Sequence, residues 1–425
     1  MTELAPPTGS MTTALPENTR ALDGVVVLDL GQVYNGPYCT MLLAHLGADI
    51  IKIEPFGGEP VRGRETGSHD PHEFRFLNGG KRSLRLDLKK PAGKDIFLRL
   101  ATKADVVVEN FSPGTMDRLG LGYHVLSATN PRLIFASGTG FAPDSPHRGS
   151  RAMDLTVQAM TAVMSTTGFP DQEPTKTGPA IADFLGGIHL MAAVTAALYQ
   201  RSVTGRGQCV EVAMQDAVVP TLASNISGFL NRGALMPERT GNRHGGLAVC
   251  PYNSYPTANG SIAILCLTNR HWAALCSVMD RSDLAEDPAF GTGPGRVAEM
   301  DKIDHIIAEW TRGQLRDELF ERLQRAEVPS APVMSLAEML SGSVVGPNGM
   351  LRPITTEAAC DPGMATPNPN VPGGYTFGSP LRMSDSPPAP STAAPALGAH
   401  SDELLVEKLG LTATELADLH SQQAI

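Results

Sequence analysis

The feature that most constrains this chain is Gly24-Val-Val-Val-Leu-Asp-Leu30, an unbroken apolar run rich in β-branched residues and opened by glycine. A run that is apolar at consecutive positions suits a strand covered on both faces, as in a parallel sheet. A strand–helix rhythm then repeats. Residues 38–46 have a helical pattern ended by Gly47, and Asp49-Ile-Ile-Lys-Ile53 reads as the next strand. A helix over 92–103 precedes the strand Asp105-Val-Val-Val-Glu109, and short helices near 114–119 and 123–129 lead to a strand over 133–137. A long helix runs from Asp183 to Arg201, Thr204-Gly-Arg-Gly207 turns, and Cys209-Val-Glu-Val-Ala213 returns as a strand. This alternation predicts an α/β, Rossmann-like fold with a mostly parallel sheet between two helical layers.

The texture changes between residues 226 and 344. A glycine-rich loop at 241–246 precedes an apolar strand at 261–267 and helices over 270–279 and 297–325. The expected organisation is a large domain from 21–225 and 345–425, with a smaller α+β domain at 226–344 inserted into it. A flexible tail occupies 1–20, and a Pro-, Ser- and Ala-rich strap 384–396.

Charge and cysteine content narrow the function. With 34 basic against 44 acidic residues the net charge is −10, which argues against a nucleic-acid partner that needs a basic footprint. The six cysteines show no CxxC pairing and no nearby His at metal spacing, and they fall in segments that read as core. Reduced, buried thiols and no metal are expected. The first 20 residues lack an apolar run, and the best membrane candidate, 188–199, is too short. The expectation is a cytoplasmic protein with no membrane partner.

In an open α/β sheet, ligands bind beyond the carboxyl ends of the strands. The loop after the first strand, Gly31-Gln-Val-Tyr-Asn-Gly36, lacks GxGxxG and the Lys-Ser/Thr of a P-loop, so no nicotinamide cofactor is expected. Asn110-Phe-Ser-Pro-Gly114 suits either an adenine or pantetheine contact or an ordinary Pro-Gly turn. Lys81, Arg82, Lys89, Lys90, Arg118 and Arg151 form either a polyphosphate-binding set or a solvated charge pattern. Asp183 stands where a helix begins. It reads as an N-cap, or as a nucleophilic carboxylate kept ionised by the helix dipole, with Gly186 and Gly187 leaving room for a substrate. Asp154 reads as a helix-start residue or a second active-site carboxylate.

Taken in order, these segments resemble the family III CoA-transferases, the CaiB/BaiF group that includes formyl-CoA and crotonobetainyl-CoA transferases and the α-methylacyl-CoA racemases. The motifs run from Leu28-Asp-Leu-Gly-Gln32 with Gly36-Pro37 and Leu46-Gly-Ala-Asp-Ile-Ile-Lys-Ile-Glu54 to Lys81-Arg-Ser83 and Val108-Glu-Asn-Phe111 with Pro113-Gly114. They continue through Asn130-Pro-Arg132, Asp183 with its helix, Thr204-Gly-Arg-Gly-Gln208 and Gly241-Asn-Arg-His244. The resemblance covers the chain from about residue 22 to its end.

The resemblance implies two chains interlinked as a homodimer, an acyl-CoA donor and a carboxylic acid acceptor. It implies that Asp183 is the catalytic aspartate, carrying first a mixed anhydride and then a CoA thioester. Gln32, Val33, Leu86, Lys89, Asn110, Phe111, Arg118 and Arg151 match CoA-contacting positions. Asp154, Gly245 and Gly246 match supporting active-site positions, the glycines belonging to a loop that covers the site. A family arginine after Ile53-Glu54 is Pro55 here, leaving Arg62 or Arg64 as a substitute for phosphate. Asn242, Arg243 and His244 suit either a dicarboxylate or a structural loop. Racemase members carry a His where this chain has Met153 and a Glu where it has Pro256. Neither residue here carries a proton, so transfer is expected, with racemisation or intramolecular CoA transfer within a dicarboxylyl-CoA as alternatives.

Overall fold

A computed structural model describes residues 19–64, 70–341, 350–354, 375–387 and 392–425. The expected tail lies outside the described residues except at its last two positions, and residues 388–391 of the strap lie outside them as well.

Six strands make one sheet: β1 (Val26–Asp29), β2 (Asp49–Glu54), β3 (Arg82–Arg85), β4 (Val106–Glu109), β5 (Ile134–Thr139) and β6 (Cys209–Ala213). Their order is β3-β2-β1-β4-β5-β6, and every neighbouring pair is parallel. Side chains alternate between the faces. Val27, Ile50, Val106 and Val108 therefore meet Cys39 and Leu43 of the helix Asn35–His45, and Leu190 and Val194 of the long helix Ile181–Thr204. On the other face Leu28, Ile51, Ile53 and Val107 pack with Ile96, Phe97 and Leu100 of the helix Pro91–Ala101 and with Leu404, Leu405 and Leu419 near the chain end. Each such side chain removed from water contributes about 1.5–3 kcal/mol. Coverage on both faces is why these strands read as apolar runs.

β3 was not legible in the sequence. Its four residues, Arg-Ser-Leu-Arg, carry a charge at each end. Arg82 is held by Asp49 on β2 at 2.6 Å and by Glu407, which makes a polar edge strand possible.

The long helix also exceeds the expected span. Its 24 residues include an 18-residue window of mean hydropathy 1.7, long and apolar enough to cross a membrane. One face is instead buried against the sheet and the helix Asn35–His45 through Gly186, Leu190, Val194 and Ala197. The opposite face leaves Tyr199 and Val203 more than 70% exposed (75% and 72%).

A second core, sharing no residue with the first sheet's cores, lies among β7 (Tyr252–Thr257), β8 (Gly260–Leu265) and β9 (Ser330–Pro332), which pair antiparallel. Trp272, Leu275, Ile303, Ile307, Leu319 and Leu323 fill it. The single helix expected over 297–325 is broken: Met300–Arg312 and Arg316–Arg325 are separate helices with Gly313 between them, at a residue that costs a helix interior about 1 kcal/mol. Cys39, Cys250, Cys266 and Cys276 are buried free thiols as expected, but Cys209 is exposed, because it starts the edge strand β6. Cys360 lies outside the described residues.

Candidate active site

With β1 at the point where the strand order reverses, the loops after β1 and β4 part and leave a crevice at the carboxyl end of the sheet. The loop after β1 is fixed almost entirely by side chains. Asp29 Oδ1 accepts from Gly31 N at 2.8 Å, and the buried Lys52 ammonium donates to the Gly31 carbonyl at 2.9 Å. Asn110 brackets Gln32, accepting from its N–H at 2.7 Å and donating to its carbonyl at 2.9 Å. Glu59 accepts from Val33 N at 3.1 Å. These contacts hold Val33 at φ +64°, a left-handed conformation that a β-branched residue adopts only under constraint. Asp29 is itself clamped by Lys81 at 2.9 Å and Thr40 at 2.7 Å, all fully buried. Burial opposes its charge, but Lys81 and Lys52 prevail and hold the carboxyl below its usual range.

The crevice is a cavity of about 330 Å³. Gln32, Val33 and Asn35 line it from the β1 loop, Asn110, Phe111 and Ser112 from the β4 loop, Gly138 to Gly140 from β5, and Met153 and Asp183 from the far side. Of the eight residues expected to contact CoA, four therefore meet at this cavity: Gln32, Val33, Asn110 and Phe111.

The other four stand elsewhere. Leu86, just past β3, is buried in the sheet core, and Lys89 is exposed with its N–H on Asp87. Arg118 is exposed, donating to the Pro113 carbonyl and to Thr115 Oγ1. Arg151 is exposed and off the cavity wall. Among the described residues the one cation on that wall is Arg148, which sequence reasoning missed; it is locked to Glu211.

Asp183 is not an N-cap. It is the third residue of the long helix, whose N-cap is Ala180 without a side-chain cap. The capping is done from outside by Asp154, whose Oδ1 accepts from Ala182 N at 2.8 Å and from Asp183 N at 3.4 Å. Asp154 Oδ2 accepts from Gln158 Nε2 at 2.6 Å, and Gln158 Oε1 accepts from Thr177 N at 2.9 Å, which ties the first turn to the preceding loop.

This arrangement overturns the expectation of a carboxylate stabilised as an anion. The free N–H groups are spent on Asp154, and among the described residues no donor reaches the Asp183 carboxylate. Burial, followed by the nearby charge of Asp154, pushes Asp183 up to about 7, against an opposing pull from Arg64. The side chain is 7% exposed and faces the cavity. It is a weakly solvated carboxylate whose charged form its surroundings disfavour.

Other expectations are corrected by neighbours. Gly186 and Gly187 do not leave room for substrate: their space is taken by Asn35 and Tyr38. Gly245 and Gly246 lie against Asn225 and Ser224 of the helix Ala223–Arg232, where any Cβ would collide, and neither lines this cavity. His244 Nδ1 accepts from Gly246 N at 3.2 Å and Ala248 N at 3.4 Å, and Arg243 is bound by Asp301 and Asp304 at 2.7 Å each. His244 is thus committed to the loop and Arg243 to the helix Met300–Arg312. Arg62 cannot substitute for the family arginine, because Glu54 takes it at 2.8 Å and 2.9 Å, Asp70 at 2.6 Å, and Phe74 stacks 3.7 Å from it. Arg64 remains partly exposed, paired with Glu73 at 2.9 Å.

Behind Phe111 a second cavity of about 380 Å³ shares this wall. There the buried Glu109 accepts from Ser137 Oγ and from Phe111 N, the latter at 2.8 Å. Burial pushes Glu109 up to about 7 despite those two donors.

Known proteins resemble the chain over most of its length. The profile of CoA-transferase family III matches residues 22–401. A formyl-CoA:oxalate CoA-transferase of Streptomyces coelicolor is 36% identical, covering 96% of this chain and 99% of the relative. A succinyl-CoA:mesaconate CoA-transferase of Haloarcula marismortui is 37% identical, covering 91% and 96%. The crystal structure of a CaiB/BaiF family protein from Brucella suis superposes with a TM-score of 0.77 at 31% identity, covering 92% of this chain and 99% of that one.

Proposed function

The chain belongs to the family III CoA-transferases, and from that premise we propose that it moves CoA from an acyl-CoA donor to a carboxylic acid through covalent intermediates on Asp183. The observation that carries this is the Asp183 carboxylate: buried, free of donors among the described residues, and facing a cavity at the carboxyl end of the sheet.

An Asp183 oxygen attacks the thioester carbonyl, the C–S bond breaks, and a mixed anhydride and CoA thiolate result. The thiolate attacks the aspartyl carbonyl and expels the donor acid, leaving an aspartyl-CoA thioester. The acceptor carboxylate then displaces the thiolate to form a new anhydride. Return of the thiolate to the acyl carbonyl releases product and free Asp183. A carboxylate suits this exchange because anhydride and thioester are similarly activated, so one hard transfer becomes several easier ones. Asp154 supports the first turn that carries the nucleophile. Met153 on the cavity wall offers no proton carrier, and Pro256 is spent in the β7–β8 pairing, which favours transfer over racemisation.

The relatives are named for formyl-CoA, succinyl-CoA, oxalate and mesaconate, and on that support we take the acceptor to be a short dicarboxylic acid. The proposal includes an interlinked homodimer in the cytoplasm, built from the large domain of 21–225 and 345–425 and the small domain of 226–344. Its support is the exposed apolar surface of Tyr199 and Val203 on the long helix and of Phe229 and Leu230 on Ala223–Arg232. Incubation with formyl-CoA or succinyl-CoA and a panel of acids, followed by chromatography of the thioesters, tests the reaction. A new acyl-CoA that appears only with an added acid is expected. Exchange of α-deuterium without any acid, and no new thioester, would replace transfer by isomerisation.

A further inference from the structure

Asn35 opens the helix Asn35–His45 and is 2% exposed, yet among the described residues neither its Oδ1 nor its Nδ2 has a hydrogen-bond partner. Buried polar side-chain groups in folded proteins are mostly paired, and an unpaired one calls for an explanation, a catalytic role among them. Asn35 is among the residues that line the cavity holding Asp183. Its place is set by two glycines: a Cβ at Gly138 would lie 2.2 Å from Oδ1, and a Cβ at Gly186 would lie 2.2 Å from Nδ2. Gly186 follows Asp183 by three residues on the same helix, and residues so spaced share a face with Cβ positions about 5–6 Å apart. The Asn35 amide thus stands about one helical turn from the nucleophile, while the Asp183 carboxylate makes no bond to it.

We propose that Asn35 is the side-chain oxyanion donor of the reaction, its amide N–H binding the carbonyl oxygen of the acyl group as Asp183 attacks. The inference rests on the transferase reading above. When the Asp183 oxygen adds to the thioester carbon, the carbonyl electron pair moves onto oxygen. The Asn35 N–H donates a hydrogen bond to that oxyanion, and the electron pair returns to re-form the carbonyl as the C–S bond breaks and thiolate leaves. No proton is transferred. The same donor serves the later additions at the aspartyl and acyl carbonyls. The ligand class is therefore any acyl thioester or anhydride oxygen, independent of the acid's chain. An amide held unpaired in a low-dielectric slot is already desolvated and oriented, the condition under which one donor contributes most to a transition state.

The test uses Asn35→Ala and the similarly sized Asn35→Leu in the full chain. Removal of one oxyanion donor lowers kcat about 10²–10³-fold, with the KM for acyl-CoA moved far less. The rate of Asp183 acylation in single turnover falls by the same factor. Because no protein bond is lost, the melting temperature of either variant stays level or rises, a combination that a structural role does not produce. Three results overturn the proposal: kcat within threefold of the parent, a KM change alone, or an activity loss that tracks a lowered melting temperature in both variants. Failure of the parent protein to acylate Asp183 with any acyl-CoA marks failure of the transferase reading instead, and is scored before the variants are compared.

Discussion

Replacing Asp183 by asparagine should stabilise the protein while abolishing turnover. The carboxyl rises from 3.8 to about 7 on folding, chiefly through burial. Between those values the native state holds a proton that the unfolded chain has lost, so stability falls as pH rises and levels off above the folded pKa. A shift of about 3 units corresponds to roughly 4 kcal/mol. Integrated over pH, the raised pKa of Asp183 costs roughly 2 kcal/mol at pH 5 and roughly 4 kcal/mol at pH 8. Asp183→Asn keeps the shape and removes the charge, so it should exceed the parent by about those amounts. Urea denaturation of both proteins at the two pH values measures the difference. A stability gap that is flat with pH, or a variant weaker than the parent at pH 8, would refute the reasoning that burial and Asp154 strain the ionised nucleophile.

Asp154→Asn keeps an oxygen for Ala182 N but removes the charge that raises Asp183; the acidic limb of kcat/KM against pH should move to lower pH, and an unmoved limb would contradict the coupling. Lys81→Met leaves Asp29 buried without its main partner and should cost about 3–5 kcal/mol by denaturant titration. Glu109→Ala strips Ser137 Oγ and Phe111 N of their acceptor. It should cost about 1–3 kcal/mol and raise the KM for acyl-CoA, since Phe111 lines the cavity.

Much of the large sheet was legible because its strands are buried on both faces and so appear as apolar runs. β3 was hidden by Arg82 and Arg85: Arg82 is paired at the sheet edge with Asp49 and Glu407, distant in sequence, and Arg85 lies over the Phe56 ring. Within β7, Pro256 disguised an antiparallel strand. Asp183 was placed by ordered motifs, but its electrostatics were not, because the capping carboxylate that consumes its helix N–H groups lies 29 residues earlier. Asn35 gave no signal in the sequence: a polar residue at a helix start is ordinary, and its lack of a partner exists only once Gly138 and Gly186 close around it.

The central claim is that Asp183 becomes covalently acylated, and trapping tests it most directly. The protein is incubated with an acyl-CoA donor and quenched with hydroxylamine, and the peptides are mapped by mass spectrometry. The account predicts a hydroxamate on Asp183, formed only with donor present and absent in Asp183→Asn. An unmodified Asp183 in protein that is turning over would contradict it.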